Sequence, residues 1–267
     1  MKVIGIDPAP AKETVIYDGA KFMTKDAVAL KNYLEDIKKS EDNVLICWDA
    51  PLTGMASVKA IEKFKEYLSN LEKKKKPKWS PLEARIIEKY IALQDIPKGI
   101  STNSFSQCPH WTITQYCLGL PQIFQPEKIY PSNVPFNLIT EQKLPSEGKN
   151  VVEVHPALAL WLWLQDEVKD YKRSSKKSEA TSDDKHPKNK KEIIKEIITS
   201  LNEKLSFDVP CDIENDDYLD AYIAWKLGDL WQNEQDKVIL VGNKNTGAML
   251  LPKEVSEDWQ AELAKYK

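Results

Sequence analysis

The chain has 267 residues, 42% hydrophobic and 30% charged, with a formal net charge of −3. This composition supports one large folded domain and excludes global disorder, while the charge balance excludes a surface made wholly for nucleic acid but not a local basic patch. Glycine is scarce, with 9 residues against a usual share of about 7%, which weighs against folds built on phosphate-cradling loops.

The four cysteines, Cys47, Cys108, Cys117 and Cys211, form no C-x-x-C pair, and the only histidines are His110, His155 and His186. A zinc cluster and a disulfide framework are therefore not expected. The first residues carry one lysine and a short apolar stretch broken by Asp7, unlike a signal peptide. The longest apolar run, ALALWLWL, is too short to span a bilayer. The expectation is a reduced, cytoplasmic protein with no membrane partner.

VIGID (3–7) reads as a buried strand leading into Pro8-Ala9-Pro10. ETVIYDG (13–19) reads as a second strand with a turn, and KFMT (21–24) as a short third. Over 26–39, Val28, Leu30, Tyr33, Leu34 and Ile37 recur at helical spacing. VLICWDAP (44–51) is another buried strand with an acid at its end. The order β-β-β-α-β predicts an α/β protein with a mixed sheet flanked by helices.

Residues 55–145 read as a partly helical insertion. Ile61, Phe64, Tyr67, Leu68 and Leu71 suit one helix, ended by the lysines at 73–76 and Pro77. Ser80-Pro81 suits the start of a second, which carries Leu82, Ile86, Ile87, Tyr90 and Leu93. VVEVHP (151–156) restores a strand, and a Trp- and Leu-rich helix follows. The lysine-rich segment 169–191 reads as a flexible, solvated loop. Ile193, Ile194, Ile197, Ile198, Leu201 and Leu205 resume helical spacing, 216–231 is a further helix, and VILVG and AMLLP read as a closing hairpin.

Several carboxylates do not suit a structural role. Asp7, Asp49 and Glu153 each sit in or at the end of an apolar strand, where a lone acid is costly unless paired. Three such acids from three strands suggest a shared cation. Asp216, Asp217 and Asp220 add to this, because residues three or four apart share a helix face. Ala221, Ala224 and Gly228 make that face small enough to lie close against a sheet. The structural alternatives are an N-terminal cap for Asp216 and turn hydrogen bonds for Asp7 and Asp49. Oxygen-only ligands suit Mg²⁺ or Mn²⁺, and two such ions about 3.5–4 Å apart can promote phosphodiester cleavage.

These residues resemble the RNase H-like superfamily: VIGID with its terminal acid, WDAPL with Asp49 after a later strand, and Asp217-x-x-Asp220-Ala221 on a late helix. More closely, VVEVHPALALWLW, NDDYLDAYIAW and the closing VG…GAMLLP are similar to motifs of a group of RNase H-like predicted nucleases, the domain-of-unknown-function family numbered 429. The resemblance implies one RNase H-like domain over 1–267. It also implies metal-binding roles for Asp7, Asp49 and Asp220, with Asp217 as a fourth acid. Glu153 matches the family's strand acid, and His155 would orient a water or phosphate or else serve packing and capping. His110 is expected to be structural. The expected activity is metal-dependent hydrolysis of phosphodiester bonds in nucleic acid, with Glu153 or His155 assisting.

Two other readings compete. A non-catalytic nucleic-acid-binding or scaffold protein would use the lysines at 73–78 and 169–191 to hold phosphates. An ATP-dependent kinase or ATPase of the same superfamily would need glycine-rich phosphate turns. Here Pro8-Ala9-Pro10 follows the first strand, and no Walker pattern occurs.

Overall fold

The computed structural model describes residues 1–53, 58–70, 85–94, 96–97, 100, 110–119, 136–144, 146–168, 171–172 and 189–266. β1 (Lys2–Asp7), β2 (Thr14–Tyr17) and β3 (Phe22–Lys25) form an antiparallel meander. α1 (Ala27–Lys39) follows, capped by the Asp26 side chain, which accepts from the Ala29 N–H at 2.8 Å. The chain then returns as β4 (Val44–Trp48), parallel to β1. These elements match the predicted β-β-β-α-β run.

The following region holds α2 (Val58–Ser69), α3 (Ile86–Ile91), α4 (His110–Leu118) and the two-residue β5 (Asn137–Leu138). The Ser80-Pro81 start expected for its second helix lies outside the described residues, where the described helix begins at Ile86. β6 (Lys149–Glu153) pairs in parallel with both β4 and β5, completing a six-stranded mixed sheet in the order β3-β2-β1-β4-β6-β5. α5 (Pro156–Leu164), α6 (Lys190–Leu205) and α7 (Asp216–Asn233) come next. β7 (Val238–Asn243) and β8 (Gly247–Pro252) form the expected hairpin, and α8 (Lys253–Leu263) follows it.

Apolar layers cover both faces of the sheet. Ile4, Ile6, Ile46, Trp48 and Val151 face α1 and α4, whose Leu30, Leu34 and Ile113 are buried with them. Val3, Leu45, Cys47, Val152 and Val154 face the other way, toward Ala221 and Ala224 of α7. A third group joins α2 and α3 to the hairpin and α8 through Phe64, Ile87, Val241 and Trp259. Helix α7 is buried on nearly every side, so its sequence lacks a clean polar face. Among the described residues, no helix is long and apolar enough to cross a membrane.

Candidate metal centre

The centre begins with strand register. Ile6 stands opposite Trp48 in the parallel β1–β4 ladder, so the next residues, Asp7 and Asp49, reach the strand ends at the same level. The Asp49 N–H extends the ladder by donating to the Ile6 carbonyl at 3.0 Å. Alternation turns both side chains toward α7, the side taken by Val3, Leu45 and Cys47. Asp220 meets them from the second turn of α7. That helix lies very close to the sheet because two glycines permit it. A Cβ on Gly228 would stand 2.4 Å from Cys47 Sγ, and one on Gly5 would stand 2.1 Å from the Ala221 carbonyl oxygen. The predicted face of small residues is therefore the contact face. The result is that one carboxylate oxygen from each of Asp7, Asp49 and Asp220 lies within 4.8 Å of the other two.

Three acids this close in a poorly hydrated place oppose one another's ionisation. Burial, then the neighbouring Asp220 and Asp49 carboxylates, push the Asp7 pKa well above its ordinary value. Burial and Asp220 do the same to Asp49. Asp220 is also raised, by burial above all, although Lys172 works against the rise. The Lys172 ammonium bonds Asp220 Oδ2, and the Tyr171 hydroxyl donates to Asp220 Oδ1 at 3.0 Å. Burial disfavours the Lys172 charge, but the three carboxylates outweigh it and raise its pKa. Tyr171 is fully buried in the core.

Glu153 lies elsewhere. It pairs with Trp48, not with Asp49, so alternation places it on the Trp48 side of the sheet. Its cation comes from this chain: Arg85 Nη1 and Nη2 donate to Oε2 and Oε1 at 2.7 and 2.6 Å. The Leu52 N–H adds a bond to Oε2 at 2.8 Å. Arg85 also donates to Glu88 Oε1 and, at 2.7 Å, to Thr53 Oγ1. This buried network ties the region after β4 to β6. The three strand acids expected to share one cation are thus divided between two sites.

His155 sits between β6 and α5 at the helix N-cap, without a side-chain capping bond. Its Nδ1 is buried and has no hydrogen-bond partner. Burial first, then Lys172 and Arg85, lower its pKa to about 4, so the ring is neutral at neutral pH. Asp217 is part-buried, pairs with Lys12 of the β1–β2 loop, and adds to the rise of the Asp7 pKa without joining the close group of three. Asp216 pairs with Lys190 at 2.8 Å. The cap expected of Asp216 is made instead by Asn215, whose side chain accepts from the Asp217 and Tyr218 N–H groups at 2.9 and 3.3 Å. His110 opens α4, and its side chain lies outside the described residues.

Sequence reasoning missed Tyr171 and Lys172. The run 169–191 reads as solvent-facing because lysine and serine dominate it, yet these two residues reach the acids, with Tyr171 as the aromatic signal in a polar run. Residues 169–170 and 173–188 of that run, and the lysines at 73–78, lie outside the described residues. Arg85 was also missed, since no short-range pattern links it to Glu153.

No curated protein and no solved structure matches the chain. The family described as "Protein of unknown function (DUF429)" matches residues 137–244, a span that holds β5 through β7 with Glu153, His155, Lys172 and Asp220, and that leaves Asp7 and Asp49 outside it.

Proposed function

We propose that the chain is an RNase H-like, metal-dependent phosphodiesterase acting on nucleic acid. The observation that carries this reading is the convergence of Asp7, Asp49 and Asp220, with ligand atoms all within 4.8 Å of one another. The run of three strands, a helix and a strand, followed by the late acid-bearing α7, supports this reading. The match to DUF429 supports the uncharacterised family and carries no activity of its own.

The donor set fits Mg²⁺ or Mn²⁺. It offers carboxylate oxygens only, it is buried at Asp220 and part-buried toward the strand ends, and its acids hold raised pKa values that a divalent cation would reverse. Asp7, Asp49 and Asp220 would hold the ion, and Asp217 stands a turn earlier on α7. A bound ion would supply Lewis-acid stabilisation of the charge that builds on a phosphoryl group. The chain's own residues supply the rest. Tyr171 orients Asp220 through its hydroxyl. Asn215 fixes the first turn of α7. His155, neutral and with a free buried Nδ1, is the group available to orient a water or a phosphate oxygen. Both Glu153 oxygens are already committed to Arg85, which leaves Glu153 a supporting role.

The test is a panel of single-stranded, double-stranded and hybrid DNA and RNA with Mn²⁺, run beside Asp7→Asn. Cleavage reduced by about a hundredfold or more in Asp7→Asn is expected. Equal cleavage by the variant would remove the centre from the mechanism. Salt-sensitive binding without cleavage would favour the non-catalytic nucleic-acid-binding reading.

A further inference from the structure

We propose that Lys172 is a built-in counter-ion of the acidic centre, which a divalent cation displaces from Asp220. The proposal rests on the metal-dependent reading above and concerns what the chain does before the ion arrives. Three carboxylates within 4.8 Å repel one another and would spread apart without positive charge among them. The chain supplies that charge itself. Tyr171 takes Asp220 Oδ1 and the next residue takes Oδ2, so both oxygens of the helix acid are occupied from one dipeptide.

The two contacts differ in kind. Tyr171 is buried in the core and its ring is fixed there. The Lys172 side chain keeps 31% of its surface in water, so its ammonium can leave by rotating about its own flexible stem while the backbone stays in place. One ammonium cannot offset three carboxylates as they ionise, and a dication offsets them better. An ammonium and a dication on the same oxygen would repel each other. Binding therefore costs the loss of the Lys172–Asp220 pair, and metal affinity is lower than the three acids alone would give.

The experiment titrates the full chain with Mn²⁺, reading free Mn²⁺ by electron paramagnetic resonance and stability by thermal unfolding. Wild type, Lys172→Met and Lys172→Arg are compared. Lys172→Met is expected to half-saturate at about tenfold lower Mn²⁺, with a lower melting temperature in chelator, while Lys172→Arg stays within about twofold of wild type. Equal or weaker binding by folded Lys172→Met overturns the proposal and leaves the metal reading standing. Absence of Mn²⁺ binding in all three proteins overturns both. A second measurement does not depend on the Met variant folding. Mg²⁺ added to wild type labelled at the lysine side-chain carbons should move the Lys172 signal, identified by its loss in Lys172→Arg. A signal that stays in place while Mg²⁺ binds overturns the displacement.

Discussion

Gly5 of β1 touches the backbone of α7 at Ala221: a Cβ on Gly5 would stand 2.1 Å from the Ala221 carbonyl oxygen and 2.3 Å from the Trp225 nitrogen. Both obstacles are backbone atoms, so no rotamer change relieves them. Gly5→Ala must lift the helix from the strand, and Asp220 with it. Loss of about 3 kcal/mol or more is expected in chemical denaturation, at the upper end of overpacking effects. Because the lifted element carries one acid of the centre, the Mn²⁺-induced rise in melting temperature should shrink with it. A variant that is destabilised but binds Mn²⁺ normally would show that α7 positions Asp220 by some other contact.

Asp7 ties the stability of the fold to pH. Burial and its acidic neighbours raise its folded pKa above the ordinary value of 3.8. The folded state thus holds more protons than the unfolded chain between that value and the raised one. Its favourable contribution is complete below the ordinary value and is lost as pH rises through the raised pKa. Above the ordinary value the raised pKa works against folding of the metal-free protein. Asp7→Asn should therefore melt higher than wild type in chelator, by a few degrees, and gain little on adding Mn²⁺. Unfolding followed with and without Mn²⁺ reads both effects.

Much of the sheet was legible because buried strands announce themselves as short apolar runs, as β1, β2, β4 and β6 do, while the part-exposed β3 follows β2 after a short turn. The small face of α7 was equally readable, and it is the face that lies against the sheet. Two things were not. β5 has only two residues, and nothing local distinguishes them from a loop. The partition of the strand acids depends on register, which alternation within one strand does not set. Asp49 lies one residue past Trp48 while Glu153 is level with it, and that single step sends the two acids to opposite faces. Arg85 could not be paired with Glu153 in advance, because the partners are 68 residues apart and meet only after the region following β4 has folded back.

That separation gives a direct test of the two acids. Arg85 is fully buried between Glu153 and Glu88. Arg85→Met leaves two buried carboxylates without their cation, and a loss of about 3–5 kcal/mol is expected. Glu153→Gln keeps the shape and the Leu52 bond, so its loss should be smaller, about 1–3 kcal/mol. Mn²⁺ affinity of Glu153→Gln should stay within about twofold of wild type, whereas Asp49→Asn should lose about tenfold or more. Calorimetric titration of the two variants separates the roles. Equal losses would mean that Glu153 takes part in holding the ion.

His155 makes the opposite pH signature to Asp7. Burial, Lys172 and Arg85 lower its folded pKa from 6.5 to about 4. The unfolded chain then binds more protons between these values. The stabilisation is present above 6.5 and is lost as pH falls through the folded pKa, with a full size of about 3 kcal/mol. Asp7 and Asp49 gain stability over part of the same range, so the wild-type profile mixes the two trends. The difference between wild type and His155→Phe isolates the histidine. Phenylalanine fills the site without a titrating nitrogen and removes the unpartnered Nδ1. Denaturant midpoints taken from about pH 8 to about pH 4 should run nearly parallel down to the ordinary histidine range, then diverge, with wild type falling faster. Parallel curves throughout would mean that the imidazole accepts its proton in the folded state, with its ring turned toward the carboxylates.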